Sequence, residues 1–136
     1  MIAPDSSVLI PALASFHEAH EASRGALSRS RPRLIAHVAF ETVAVLTRMP
    51  DGQRVDQTTV ITALEQTFPE PWLALDARVQ RSTLRRAATA GIRGGAVYDA
   101  LIAATAVRHG ATLLSADRRA RDAYEAIGAS VSFLGD

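Results

Sequence analysis

The sequence predicts a three-layer α/β/α domain with a mostly parallel central sheet, and three observations lead there. At 136 residues the chain has the length of one ordinary domain, 1–136, and enough residues for a substantial core. Apolar residues make up 48% and charged residues 21%, the balance of a water-soluble fold rather than a disordered chain. Short apolar runs alternate with stretches of helical periodicity. Strands separated by helices require crossovers, and crossovers give parallel strands covered on both faces.

In order, "MIA" (1–3) reads as a first strand. "SSVLIPALA" (6–14) begins a helix, capped by Ser6 or Asp5. "HEAHEASRGALSRS" (17–30) is a polar second helix. "RLIA" (33–36) reads as a second strand, and the apolar helix "HVAFETVAVLTRM" (37–49) follows, stopped by the turn signal Pro50-Asp51-Gly52. A helix over 55–68 is closed by Pro69 and Pro71. "WLAL" (72–75) is expected as a third strand, and the helix over 76–90 after it ends at Gly91. A helix from about 97 to 109 stops at Gly110 and feeds "ATLLSA" (111–116), the clearest strand in the chain. "DRRARDAYEAIG" (117–128) is the last helix, ended by Gly128, and "SVSFL" (130–134) the last strand. No repeat, low-complexity tract or linker divides the chain.

Composition also excludes chemistry. With no cysteine, neither a disulfide framework nor a thiolate metal site is possible. All fifteen basic residues are arginine, so a mechanism that needs a catalytic lysine is ruled out. No apolar run is long enough to span a membrane and the first residues lack the features of a signal peptide, so the cytoplasm is the expected compartment. A net charge of +1 argues neither for nor against a nucleic-acid partner.

Four carboxylates stand in matching places. Ligands of parallel α/β sheets bind beyond the carboxyl ends of the strands. Asp5 ends the first strand, and Asp117 lies just past "ATLLS". Asp99 sits near the start of the helix that feeds that strand, on a side expected to be buried. Glu41 lies one turn into the helix after "RLIA", with His37, Val38, Ala44 and Val45 as helical neighbours. Each has a simpler reading: Asp5 and Asp117 as helix caps, Asp99 as a first-turn acid suited to the helix dipole, Glu41 as an acid satisfied by His37 or an arginine. Together they are less easily dismissed. Clustered carboxylates raise one another's pKa, so the fold gains nothing unless a cation sits among them, and an all-oxygen site suits Mg²⁺ or Mn²⁺.

"DSS" after a short N-terminal strand, "HVAFETVAVL", "VYDALIAATAVRHGATLLSAD" and the closing "SVSFL" resemble PIN-domain ribonucleases, and within them the VapC toxins of bacterial VapBC toxin–antitoxin pairs. The resemblance covers essentially the whole chain, and 97–117 is its most specific part. It implies a PIN-like fold and a Mg²⁺-dependent endoribonuclease whose acid set falls on Asp5, Glu41, Asp99 and Asp117. The family's hydroxyls fall on Ser7 and Ser115, where the family more often has Thr. Pro4 replaces an aliphatic strand residue and is expected to end or distort the first strand. Asp5 and Asp99 are expected as principal metal ligands, Glu41 and Asp117 as second-site ligands or as carboxylates orienting water, with direct attack by water on the phosphodiester.

RNA must be drawn to an acidic pocket by positive charge nearby. Arg118 and Arg119, adjacent to Asp117, are the candidate phosphate contacts, with Arg121 beside them; Arg78, Arg81, Arg85 and Arg86 form a second basic stripe that reads more readily as a solvated helix face. At 5% aromatics an extended base-stacking platform is not expected, and Tyr98 reads as core. The resemblance further implies a small VapB-like antitoxin lying over the active site, contact through the N-terminal helices, and a homodimer. The competing readings are a phospho-acceptor domain, which lacks its lysine here, and a catalytically silent PIN-like module that binds RNA or protein.

Overall fold

The computed structural model describes residues 1–135. Three parallel strands form the sheet: β1 (Ile2–Pro4), β2 (Thr112–Ser115) and β3 (Val131–Phe133), in the order β1-β2-β3. Ala3 pairs with Leu113 and Leu113 with Val131, so the register carries the carboxyl ends of all three strands to one rim. Between β1 and β2 run six helices: α1 (Ser6–Leu13), α2 (His20–Ser28), α3 (Ala36–Thr47), α4 (Gln57–Thr67), α5 (Ala77–Thr89) and α6 (Ala96–Arg108). A 3₁₀ turn at Arg118–Ala120 and α7 (Arg121–Ile127) join β2 to β3.

The expected strands over 33–36 and 72–75 do not form as strands. Each contributes one isolated parallel bridge, Ile2 with Pro32 and Ile35 with Leu73. The backbone bonds run Arg33 N–H to Ile2 O, Leu73 N–H to Leu34 O and Ala36 N–H to Leu73 O, at 2.7 to 2.9 Å. These segments extend the parallel pairing past β1 without ladder length, for two local reasons. Pro32 and Pro71 remove donors at their starts, and α3 begins at Ala36 immediately after the bridge. β1 ends at Pro4, one of the two outcomes expected there, and the proline does not distort the strand. Asp5 N–H donates to Leu114 O, so odd residues of β1 face β2 and the missing donor of Pro4 falls on the other side.

The core packs α6 onto the sheet through its smallest residues. Ala100, Ala103 and Ala106 are fully buried, as is Leu113 in the central strand, and Val8, Leu9, Val38 and Leu46 close the core from α1 and α3. A stripe of alanine lets the helix axis approach the strands closely, which brings its first turn to the strand ends. Gly128, at φ 96°, reverses the chain after α7 in the left-handed conformation that glycine adopts without steric cost.

Candidate active site

Asp5 is a helix cap as well as a candidate site residue. It follows β1, caps α1 by accepting the Ser7 N–H at 3.0 Å, and is only 3% exposed. The Ser7 hydroxyl donates to the same oxygen, Oδ1, and the Tyr124 hydroxyl donates to Oδ2 at 2.7 Å. With its hydrogen committed to Asp5, Ser7 Oγ is an acceptor for Ala116 N–H at 2.8 Å and for the Ser115 hydroxyl at 3.3 Å. Ser115, fully buried, accepts Asp117 N–H at 3.1 Å. The two hydroxyls predicted from the sequence therefore lace the end of β1 to the end of β2.

Asp117 caps the 3₁₀ turn through Arg119 N–H, and the Arg119 guanidinium binds the same oxygen at 3.1 Å. Asp99 lies in the first turn of α6 and is half-buried. Burial, then Asp5, then Asp117 push its carboxyl up to about 6. Glu41 on α3 is pushed up to about 7 by burial, then by Asp99 and Asp5, with Ser6 opposing. Its Oε1 is buried and has no hydrogen-bond partner among the described residues. His37 does not neutralise it: the ring nitrogen is 3.7 Å from Oε2, beyond hydrogen-bond range, and burial lowers the His37 pKa. The four acids from four distant segments are thus electrostatic neighbours.

Two aromatic rings frame the cluster. Tyr98 is 55% exposed rather than core; it precedes Asp99 on α6 and stacks on His37, with ring centroids 5.1 Å apart and the ring planes nearly parallel. Tyr124, which sequence reasoning left unmarked, is buried behind Asp5, and burial followed by the Asp5 charge drives its pKa upward. The only signal available was a tyrosine on an otherwise apolar helix face.

The candidate arginines are distributed unequally. Arg119 engages Asp117, while the guanidinium groups of Arg118 and Arg121 lie 5.0 and 4.6 Å from the centre of the Phe133 ring. Arg78, Arg81 and Arg85 are exposed along α5, whereas Arg86 donates to Ile127 O at 2.7 Å and belongs to the fold.

The donor set fits a hard divalent cation. A buried carboxylate oxygen without a partner, beside like charges, is a position that a bound cation would satisfy, as protonation does when Glu41 titrates at about 7. Among the described residues no three acidic or histidine side chains are grouped so as to hold a metal ion by themselves.

Residues 2–126 match the PIN domain family. The chain is 43% identical over 134 residues to Ribonuclease VapC40 of Mycobacterium tuberculosis, covering 98% of this chain and 99% of that one. It is 40% identical over 130 residues to Ribonuclease VapC27 of the same species, covering 96% and 94%. Its fold is similar to FitAcB from Neisseria gonorrhoeae, with a TM-score of 0.70 at 23% identity over 96% of each chain. The parallel sheet, the acids at its rim and near-complete alignment with two VapC ribonucleases make this chain a member of the PIN domain family, in its VapC ribonuclease branch.

Proposed function

We propose that the protein is a Mg²⁺-dependent endoribonuclease, the toxin of a type II toxin–antitoxin pair, hydrolysing RNA phosphodiester bonds by direct attack of water. The observation that carries this reading is the buried Oε1 of Glu41, without a hydrogen-bond partner among the described residues, beside carboxylates from two other segments, Asp99 and Asp5. Asp5 and Asp99 would hold the ion, with Mn²⁺ as a workable substitute. Bound there, it would supply charge neutralisation and an acidified water. Glu41 and Asp117 would orient water or complete a second site. Ser7 and Ser115 keep Asp5 and the backbone of Asp117 in fixed relation. Arg118 and Arg119, at the same rim, would meet the phosphate backbone of the RNA.

Full-length similarity to VapC proteins supports a small antitoxin as partner. The groove between α1 and α2, of about 480 Å³ and lined by Leu9, Leu13, His20, Arg24 and Leu27, gives that partner an apolar floor with a basic edge. The test is cleavage of total RNA by purified protein with Mg²⁺ or with chelator, for the parent and Asp99→Asn. Cleavage that persists undiminished in chelator, or in Asp99→Asn, overturns the reading.

A further inference from the structure

Asp5 carries more hydrogen bonds than its capping role needs. Capping α1 uses Oδ1 alone, through Ser7. A carboxylate held at one oxygen still turns about its Cβ–Cγ bond, where the torsional preference is broad. The second oxygen is held from elsewhere: Tyr124, on α7, donates to Oδ2 at 2.7 Å across 119 residues of sequence. Tyr124 is 1% exposed, and a buried hydroxyl is retained at a cost unless its hydrogen bond is made. A phenylalanine would fill the same space.

We propose that Tyr124 is a positioning residue that fixes the plane of the Asp5 carboxylate for metal binding, and sets it relative to Asp117. The second part follows from topology. The chain passes from Asp117 through the 3₁₀ turn directly into α7, so a tether from α7 to Asp5 locks the acid ending β1 to the acid following β2. The Ser7–Ser115 contact makes the same link on the opposite side of Asp5. The carboxylate hangs between two hydrogen-bonded supports, which leaves one lone pair, on Oδ2, for a cation. This proposal rests on reading Asp5 as a metal ligand.

The test measures Mn²⁺ binding directly, by the electron paramagnetic resonance of free Mn²⁺ in titrations of the parent, Tyr124→Phe and Asp5→Asn. Each protein is also melted without metal, and RNA cleavage is followed at varied Mg²⁺. Tyr124→Phe is expected to weaken Mn²⁺ binding about tenfold, the scale seen when a partner of a metal ligand is lost. It should raise the Mg²⁺ needed for half-maximal cleavage by the same factor, leave the KM for RNA unchanged, and stay folded. Asp5→Asn should abolish binding. Parent-like binding by Tyr124→Phe, with Asp5→Asn defective, overturns the proposal alone. A Tyr124→Phe chain that fails to fold overturns it in favour of a structural role. Parent-like binding by Asp5→Asn removes the metal reading, and this proposal with it.

Discussion

The hydroxyls of Ser7 and Ser115 lie 3.3 Å apart although 108 residues separate them in the chain. Parallel pairing of β1 with β2 makes the meeting inevitable, because Pro4 is level with Leu114 and each serine sits just beyond or at the end of its strand. The contact is where sheet topology becomes site geometry. One serine holds the Asp5 carboxylate, the other the backbone of Asp117.

Replacing Ser7 by alanine removes the donor to Asp5 and the acceptor of Ala116 N–H. Water reaches the exposed Ala116 amide and limits the cost to about 1 kcal/mol, or roughly 4 °C in Tm. Activity should fall far more than stability, by about tenfold, because the candidate ligand loses one of its supports. Ser7→Thr keeps the hydroxyl and should stay close to the parent in both. Melting curves and cleavage rates for the pair decide the matter; an alanine variant as active as the threonine one denies Ser7 its positioning role.

Glu41 and Asp99 make metal-free stability depend on pH. Both carboxyls titrate higher in the folded protein than their ordinary values, at about 7 against 4.5 and about 6 against 3.8. The unfolded chain therefore ionises first, so the folded state loses stability as pH climbs from about 4 to 7. Both groups are partly exposed and solvent screens them, so the combined loss is about 2 kcal/mol. His37 acts in the opposite sense, since burial lowers its pKa. Glu41→Gln isolates the acid: in chelator it should be more stable than the parent at pH 7.5, and by a smaller margin at pH 5. Urea unfolding at the two pH values is the check, and an equal margin at both would remove the repulsion.

The acids were legible in the sequence because each occupies a position with its own local grammar. Asp5 and Asp117 do cap their helical turns, as their simpler reading expected, and capping leaves a site role open to both. The helices were legible from apolar spacing to within a few residues. The segments 33–36 and 72–75 were over-read because an apolar run promises burial, and burial does not guarantee a ladder when Pro32, Pro71 and the start of α3 cut it short. Tyr98 misled for a different reason. Ala100 and Ile102, near it on α6, are buried, while its own ring stacks on His37 and stays exposed. The Tyr124–Asp5 bond joins the last helix to the first strand end, and no local pattern encodes a contact of that span.

Arg119 offers a test of how RNA is held. Its side chain is 93% exposed while bonded to Asp117, so Arg119→Ala should change stability by no more than about 0.5 kcal/mol. If the guanidinium swings to a phosphate when RNA binds, the variant will show a KM raised several-fold and a shallower salt dependence, since one counterion fewer is released. Cleavage assays across a salt series distinguish this from a purely capping arginine, for which KM and salt slope would match the parent.

Asp99→Asn separates stability from function. Burial first, and then the charges of Asp5 and Asp117, raise the pKa of half-buried Asp99 to about 6, so at pH 7.5 its charge opposes folding in the absence of metal. The amide is nearly isosteric and removes that charge, so the metal-free variant should melt at the same temperature or slightly higher. Asparagine offers one neutral oxygen where a carboxylate offered two charged ones, so Mg²⁺ binding and RNA cleavage should fall by at least about a hundredfold. Mg²⁺ should raise the Tm of the parent, as any ligand of the native state does, and leave that of Asp99→Asn unmoved. Four melting curves, each protein with and without Mg²⁺, together with one cleavage assay cover these expectations. A variant that loses activity only because it unfolds, or that gains as much from Mg²⁺ as the parent, would move the metal away from Asp99.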